Sequence, residues 1–155
     1  MKFVIRKKSP CFSVKNFCVS LCNKNTNIKL STMDRNKLTE IIIGCAIEVH
    51  KQLGPGLLES AYEECLSFEL IRAGLQIERQ KPVPVVYKDI KLDCGYRIDI
   101  LVEKTVVIEL KSVDALAPIH EAQILTYMKF AQKEIGLLIN FNVTLIKNGI
   151  RRFVY

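Results

Sequence analysis

A mixed α/β fold, a sheet flanked by helices, is predicted by three features of this sequence. Two stretches of helical apolar spacing come first, runs rich in β-branched residues follow, and one further helical stretch separates those runs from a second set. The predicted order is ααβββαβββ, a mixed central sheet without internal repeats. The 155 residues, 49% hydrophobic and 25% charged, are enough for one sizeable core. Polar and charged residues interrupt every apolar stretch before it reaches the roughly 18 residues of a membrane-spanning helix, so no membrane integration is expected.

The first helix begins at Asp34, where Leu38, Ile41, Ile42, Cys45, Val49 and Leu53 recur at helical spacing, and it stops at Gly54-Pro55-Gly56. A second helix is predicted from Leu57 to Ala73, with Leu58, Ala61, Tyr62, Cys65, Leu66 and Leu70 on its buried side and Gly74 as a left-handed cap. Three strands follow as a meander: Val83 to Tyr87, a turn at Lys88-Asp89, Leu92 to Val102, and Thr105 to Lys111. Ala117 to Ala131 returns to helical spacing, with Pro118 in its first turn. The chain closes with strands at Gly136 to Asn140, Thr144 to Lys147 and Ile150 to Val154, the last two joined at Asn148-Gly149, a pair favoured in type I′ hairpins.

The formal charge of +7 suggests nucleic-acid binding until its location is considered. Residues 1–32 hold seven Lys or Arg and no acid, which leaves 16 basic against 16 acidic residues from Met33 onward. The domain itself, 33–155, is therefore neutral, and bulk charge is no argument for a polyanionic partner. Residues 1–32 lack a regular apolar period and read as a basic, disordered extension, with Met33 as a candidate true start. Cys45, Cys65 and Cys94 fall inside apolar patterns, and the spacing of Cys11, Cys18 and Cys22 matches no zinc or cluster motif. Reduced thiols and a cytoplasmic location are the expectation.

Glu109-Leu110-Lys111 is the most informative triplet. Alternation along a strand puts the carboxylate and the ammonium on one face, about 6.6 Å apart along the axis. Pairing Ile98 with Leu110, Ile100 with Ile108 and Val102 with Val106 places the apolar residues of both strands together, and sets Asp99 opposite Glu109 and Arg97 opposite Lys111. That register requires an odd loop at Glu103-Lys104-Thr105. Two neighbouring carboxylates in an apolar strand setting repel, and a cation between them relieves the cost. Oxygen donors without a His or Cys pair favour Mg²⁺ or Mn²⁺. A plain salt bridge between Asp99 and Lys111 is the competing interpretation.

Asp99, followed ten positions later by Glu109-x-Lys111 within this element order, resembles the PD-(D/E)XK nuclease superfamily, with its restriction-endonuclease-like core. Gly56-Leu57-Leu58-Glu59-Ser60-Ala61-Tyr62 spells the signature of the GxxExxY proteins. Tyr96-Arg97-Ile98-Asp99, His120-Glu121-Ala122-Gln123 and Leu138-Ile139-Asn140-Phe141 are similar to the same family. The resemblance covers roughly Leu38 to Val154. Ile98 stands where the superfamily name has Pro.

The resemblance implies Asp99 and Glu109 as metal ligands, the Leu110 carbonyl as a further donor, and Lys111 as the residue that orients or activates water. Glu59 is carried over as a third acid, although an acid at the third position of a helix capped by Gly56 is equally well explained by the helix dipole. Gln123 and Tyr127, with His120 one turn earlier, resemble the Gln-x-x-x-Tyr support of the exonuclease-like branch, and Tyr62 shares a face with Glu59 and Glu63. His120 taken alone fits a polar helix border, and His50 a structural role. Arg97 and Lys129 are candidate phosphate contacts. The expected function is a metal-dependent phosphodiester hydrolase acting on DNA in preference to RNA, with room for a homodimer or a partner protein. The alternative is a non-catalytic nucleic-acid-binding or protein-interaction module that retains the fold.

Overall fold

The computed structural model of the protein describes residues 34–155 except 93 and 94. The basic extension 1–32, the candidate start at Met33 and the readings of Cys11, Cys18, Cys22 and Cys94 lie outside the described residues. No helix among the described residues is long and apolar enough to cross a membrane.

Helix α1 (Arg35–Leu53) starts where Asp34 accepts the Asn36 N–H at 3.1 Å, satisfying one of the unpaired first-turn amides. Leu38, Ile42, Ala46 and Val49 form its buried stripe. Helix α2 (Glu59–Arg72) starts two residues later than its periodicity predicts, because Leu58 is the N-cap in extended conformation. The cause is Tyr62, whose hydroxyl donates to the Gly54 carbonyl at 2.7 Å and accepts the Leu57 N–H at 3.1 Å. This clamp keeps the connection non-helical, and Leu58 is 77% exposed instead of buried. Tyr62, Leu66 and Leu70 are fully buried, each contributing on the order of 2 kcal/mol of transfer free energy. The helix ends in the paired reverse hydrogen bonds Leu75 N–H to Leu70 and Gly74 N–H to Ile71, with Gly74 at φ +83, a left-handed backbone that strains any residue with a side chain.

The strands are β1 (Ile77–Pro82), β2 (Val85–Tyr87), β3 (Ile90–Leu92), β4 (Arg97–Val102) and β5 (Val106–Lys111). Helix α3 (Pro118–Phe130), β6 (Ile135–Asn140), the short α4 (Ile146–Gly149) and β7 (Ile150–Val154) follow. One five-stranded sheet has the order β1-β4-β5-β6-β7, and β2-β3 forms a separate ribbon. The β5-β6 pair is parallel and the other neighbours are antiparallel, so the sheet is mixed, as predicted. The parallel pair exists because α3 carries the chain back across the sheet.

Three elements depart from the sequence expectation. Strand β1 was not anticipated: its sequence Ile-Glu-Arg-Gln-Lys-Pro has no apolar alternation because it is a sheet edge. The predicted three-strand meander is divided, since β2 and β3 leave the sheet as their own hairpin and β4 begins only at Arg97, after Gly95 at φ +70. The predicted closing hairpin at Asn148-Gly149 does not form. Residues 146–149 make one helical turn and β7 pairs with β6. Gly149 answers a close approach instead of a tight hairpin turn, since a Cβ there would stand 2.1 Å from the Asn140 carbonyl oxygen.

The sheet separates two cores. Ile100, Val102, Val106, Ile108, Leu110, Leu137 and Ile139 pack with α1 and α2. Leu101, Val107 and Leu138 pack with Ile124, Tyr127 and Met128 of α3. The predicted register holds at Ile100–Ile108 and Val102–Val106, across the three-residue loop. It does not extend to Ile98–Leu110, because the Asp99 carboxylate takes the Leu110 N–H in place of a ladder bond. Ile98 accordingly joins the α3-side core and not the face of Ile100.

Candidate active site

Strands β4 and β5 pair closely at their hairpin and part at Asp99, so the peptide edge of Leu110 is left facing a side chain instead of a backbone. Asp99 Oδ2 accepts the Leu110 N–H at 2.8 Å. On the other edge of β5, the Lys111 carbonyl oxygen accepts the Phe141 N–H at 2.9 Å. Peptide groups alternate along a strand, so the Leu110 carbonyl lies on the opened Asp99 side.

Glu109 and Lys111 share the α3 face, as their spacing requires. Lys111 Nζ donates to Glu109 Oε1 at 2.6 Å, with Glu109 2% exposed. The predicted alternative pairing of Lys111 with Asp99 is not the one formed. Glu109 Oε2 is buried without a hydrogen-bond partner. Burial, and then the charge of Asp99, push the Glu109 carboxyl up to about 7, against the opposing pull of Lys111. Burial also raises Asp99, reinforced by Glu63 and Glu59 and opposed by the Leu110 N–H and Lys111. Burial pulls the Lys111 ammonium down, but its bond to Glu109 and the charges of Glu109, Glu59 and Asp99 outweigh this and hold it above the ordinary lysine value.

Glu59 opens α2 as its first helical residue, not its third, and its Oε1 accepts the Ser112 N–H at 3.1 Å. Ser112 in turn donates its hydroxyl to the Leu57 carbonyl at 2.6 Å. The start of α2 is thereby tied to the residue following Lys111, which brings Glu59 beside the acid pair. Tyr62 is fully buried, stacked on Phe141 with ring centroids 4.4 Å apart, and serves the α1–α2 connection. Gln123 Nε2 donates to the Tyr127 hydroxyl at 2.9 Å. Burial raises the Tyr127 hydroxyl, and Glu109 and Asp99 push it further in the same direction. The His120 Nδ1 accepts the Ala117 N–H at 3.1 Å, so that nitrogen is committed to starting α3. Arg97 is exposed at the beginning of β4. His50 bonds the Val143 carbonyl at 2.7 Å, the structural role expected of it.

Local pattern gives no sign of Gln80, and it puts Glu63 on the face of Glu59 without showing its partners. Gln80, at φ +47 on β1, donates to Glu63 Oε2 at 2.7 Å and reaches Asp99 Oδ1 at 3.4 Å. Glu63 is 8% exposed and is also held by Arg79 at 2.9 Å. Both depend on β1 lying beside β4, and an edge strand without apolar alternation gave no signal for that.

The donor set fits a hard divalent cation. The Glu109 carboxyl feels the charge of Asp99, burial makes both resist ionisation, and one buried oxygen of Glu109 lacks a partner. Among the described residues no three His, Cys, Asp or Glu side chains form a preformed metal cluster.

A family profile described as the PD-(D/E)XK nuclease superfamily matches residues 36–153. The chain belongs to the PD-(D/E)XK nuclease superfamily. The five-stranded mixed sheet with flanking helices is the superfamily's fold, and the domain is of the nuclease-like phosphodiester hydrolase class, whose substrates are nucleic acids. PD-(D/E)XK nucleases generally use divalent metals, in keeping with the oxygen donors at β4 and β5. Neither the curated proteins nor the solved structures contain a match.

Proposed function

We propose that the chain is a divalent-metal-dependent nuclease of the GxxExxY type, acting on DNA in preference to RNA. The observation that carries this reading is the meeting of Asp99, Glu109 and Lys111 with one buried Glu109 oxygen unpartnered. Asp99, Glu109 and the Leu110 carbonyl would hold Mg²⁺ or Mn²⁺, with Glu59 as a third acid. The ion, when bound, supplies charge stabilisation at the phosphate and lowers the pKa of water.

The chain's own groups do the rest. Lys111 remains an ammonium, because its acidic neighbours hold its pKa up, and it orients the attacking water as a donor. Glu109 holds that ammonium in place through Oε1. Asp99 is fixed by the Leu110 amide, so its second oxygen is aimed by the backbone and not by a flexible chain. Gln123 and Tyr127 form a fixed pair that borders the substrate path. Arg97 contacts substrate phosphate.

The test is incubation of the purified chain with single- and double-stranded DNA and RNA in Mg²⁺, Mn²⁺ or EDTA, beside Lys111→Ala. DNA cleavage with either ion, lost in EDTA and lowered at least about 100-fold by Lys111→Ala, is the expected result. Retained binding without cleavage of any nucleic acid would replace the enzyme with a binding module, the outcome to which the charge balance of residues 33–155 points.

A further inference from the structure

Between β1 and β4, the described residues 83–92 lie outside the five-stranded sheet, and Tyr96 stands two residues before Ile98, the neighbour of Asp99. The root of this excursion is fixed, since the Val83 N–H donates to the Tyr96 carbonyl at 2.9 Å. The Tyr96 ring stands beside that of Tyr127, whose hydroxyl feels the charges of Glu109 and Asp99, with the ring centroids 6.2 Å apart and a tilt of 58°. Tyr127 is almost completely buried, whereas Tyr96 is 47% exposed. One edge of an aromatic pair is thus built into the α3-side core and the other is presented to solvent. A half-exposed ring on an anchored backbone beside an exposed arginine, Arg97, is the combination that takes a base on its face and a phosphate at its side. The ribbon beyond it repeats that chemistry: Tyr87 is 61% exposed, with the Lys88 ammonium 5.5 Å from its ring centroid.

We propose that Tyr96 stacks on an unpaired base at the entrance of the site, so that the strand entering the site is single-stranded, and that Tyr87 and Lys88 extend its track along the β2-β3 ribbon. This rests on the nuclease reading above. A duplex offers its bases edge-on in a groove and cannot lay one on an exposed ring without unstacking it. An unpaired strand offers a face at every base.

The test is equilibrium binding of the full chain in EDTA, so that cleavage plays no part, to a fluorescent single strand, its duplex and a strand of equal length lacking bases. The single strand is expected to bind more tightly than the duplex. Tyr96→Ala is expected to weaken the single strand about tenfold, to leave the abasic strand unchanged, and to be rescued by Tyr96→Phe. Equal losses on both strands would mean a structural or phosphate effect and would overturn the proposal, as would duplex binding tighter than single-strand binding. If the chain cleaves DNA while Tyr96→Ala binds every probe like the unaltered chain, this inference fails and the nuclease reading stands. If the unaltered chain binds no nucleic acid in EDTA, this inference fails, and the nuclease reading is decided by the cleavage assay in Mg²⁺ or Mn²⁺.

Discussion

Glu109 sits where a carboxylate is costly to ionise, and the cost has a defined direction with pH. Its folded pKa, about 7, lies above the ordinary 4.5 because burial and Asp99 both favour the proton. The folded state therefore binds that proton more tightly than the unfolded chain does, and stability falls as pH rises from the unfolded value through the folded one. Relative to Glu109→Gln, which cannot titrate, the protein is expected to lose about 3 kcal/mol between pH 4.5 and 7, read from urea unfolding across that range. Asp99→Asn removes one of the two raising influences, so the window should narrow from its upper end while burial keeps it from closing. An unchanged difference across the pH range would show that Glu109 is solvated or fully neutralised by Lys111.

The start of α2 is the element on which the acid placement depends, and Tyr62 is what holds it. Its hydroxyl meets two backbone groups of the α1–α2 connection, while its ring is stacked on Phe141. Tyr62→Phe keeps the stack and leaves the Gly54 carbonyl without its donor, so a loss of about 1–3 kcal/mol is expected on denaturation, with faster amide exchange at Leu57. Gly149 plays the matching part at the far edge. Gly149→Ala would drive a methyl into the Asn140 backbone, which cannot step aside as a flexible side chain would, and a cost of roughly 1–3 kcal/mol is expected in a urea midpoint shift. Asn140 also bonds Val113 through its side chain, on both the N–H and the carbonyl, so the same strain would reach the segment after Lys111.

Across the molecule, the β4-β5 ladder stops short of Asp99 between the two cores, and an ion bound there would stabilise the folded state by mass action. Mg²⁺ or Mn²⁺ at about 100 times its dissociation constant is expected to add about 2.7 kcal/mol, measured as a higher melting temperature. The gain should be larger at pH 8 than at pH 5, because Glu109 must release its proton to serve as a ligand. EDTA should remove it, and Asp99→Asn should abolish it. An equal shift at both pH values, or one that survives Asp99→Asn, would place the ion elsewhere.

The helical stripe of α1, the α3 segment and the β5 and β6 strands were legible in the chain because each is stated by the spacing of neighbouring residues. Glu109 and Lys111 were legible for the same reason, since strand alternation alone puts them on one face. The Ile100–Ile108 and Val102–Val106 pairs followed from matching the apolar faces of a hairpin. What remained hidden is non-local. Strand β1 has no apolar alternation, so its place beside β4, and with it Gln80 and Glu63 at the acid pair, arises only when the sheet forms. Leu58 looked buried until Tyr62 pinned the backbone before it, and Asn148-Gly149 looked like a turn until Asn140 lay against it. Asp99 came within reach of Leu110 because its carboxylate competes for an amide that local pattern assigns to the ladder. Period fixes which face a side chain takes within its own element; which groups then face each other is decided by packing between elements far apart in the chain.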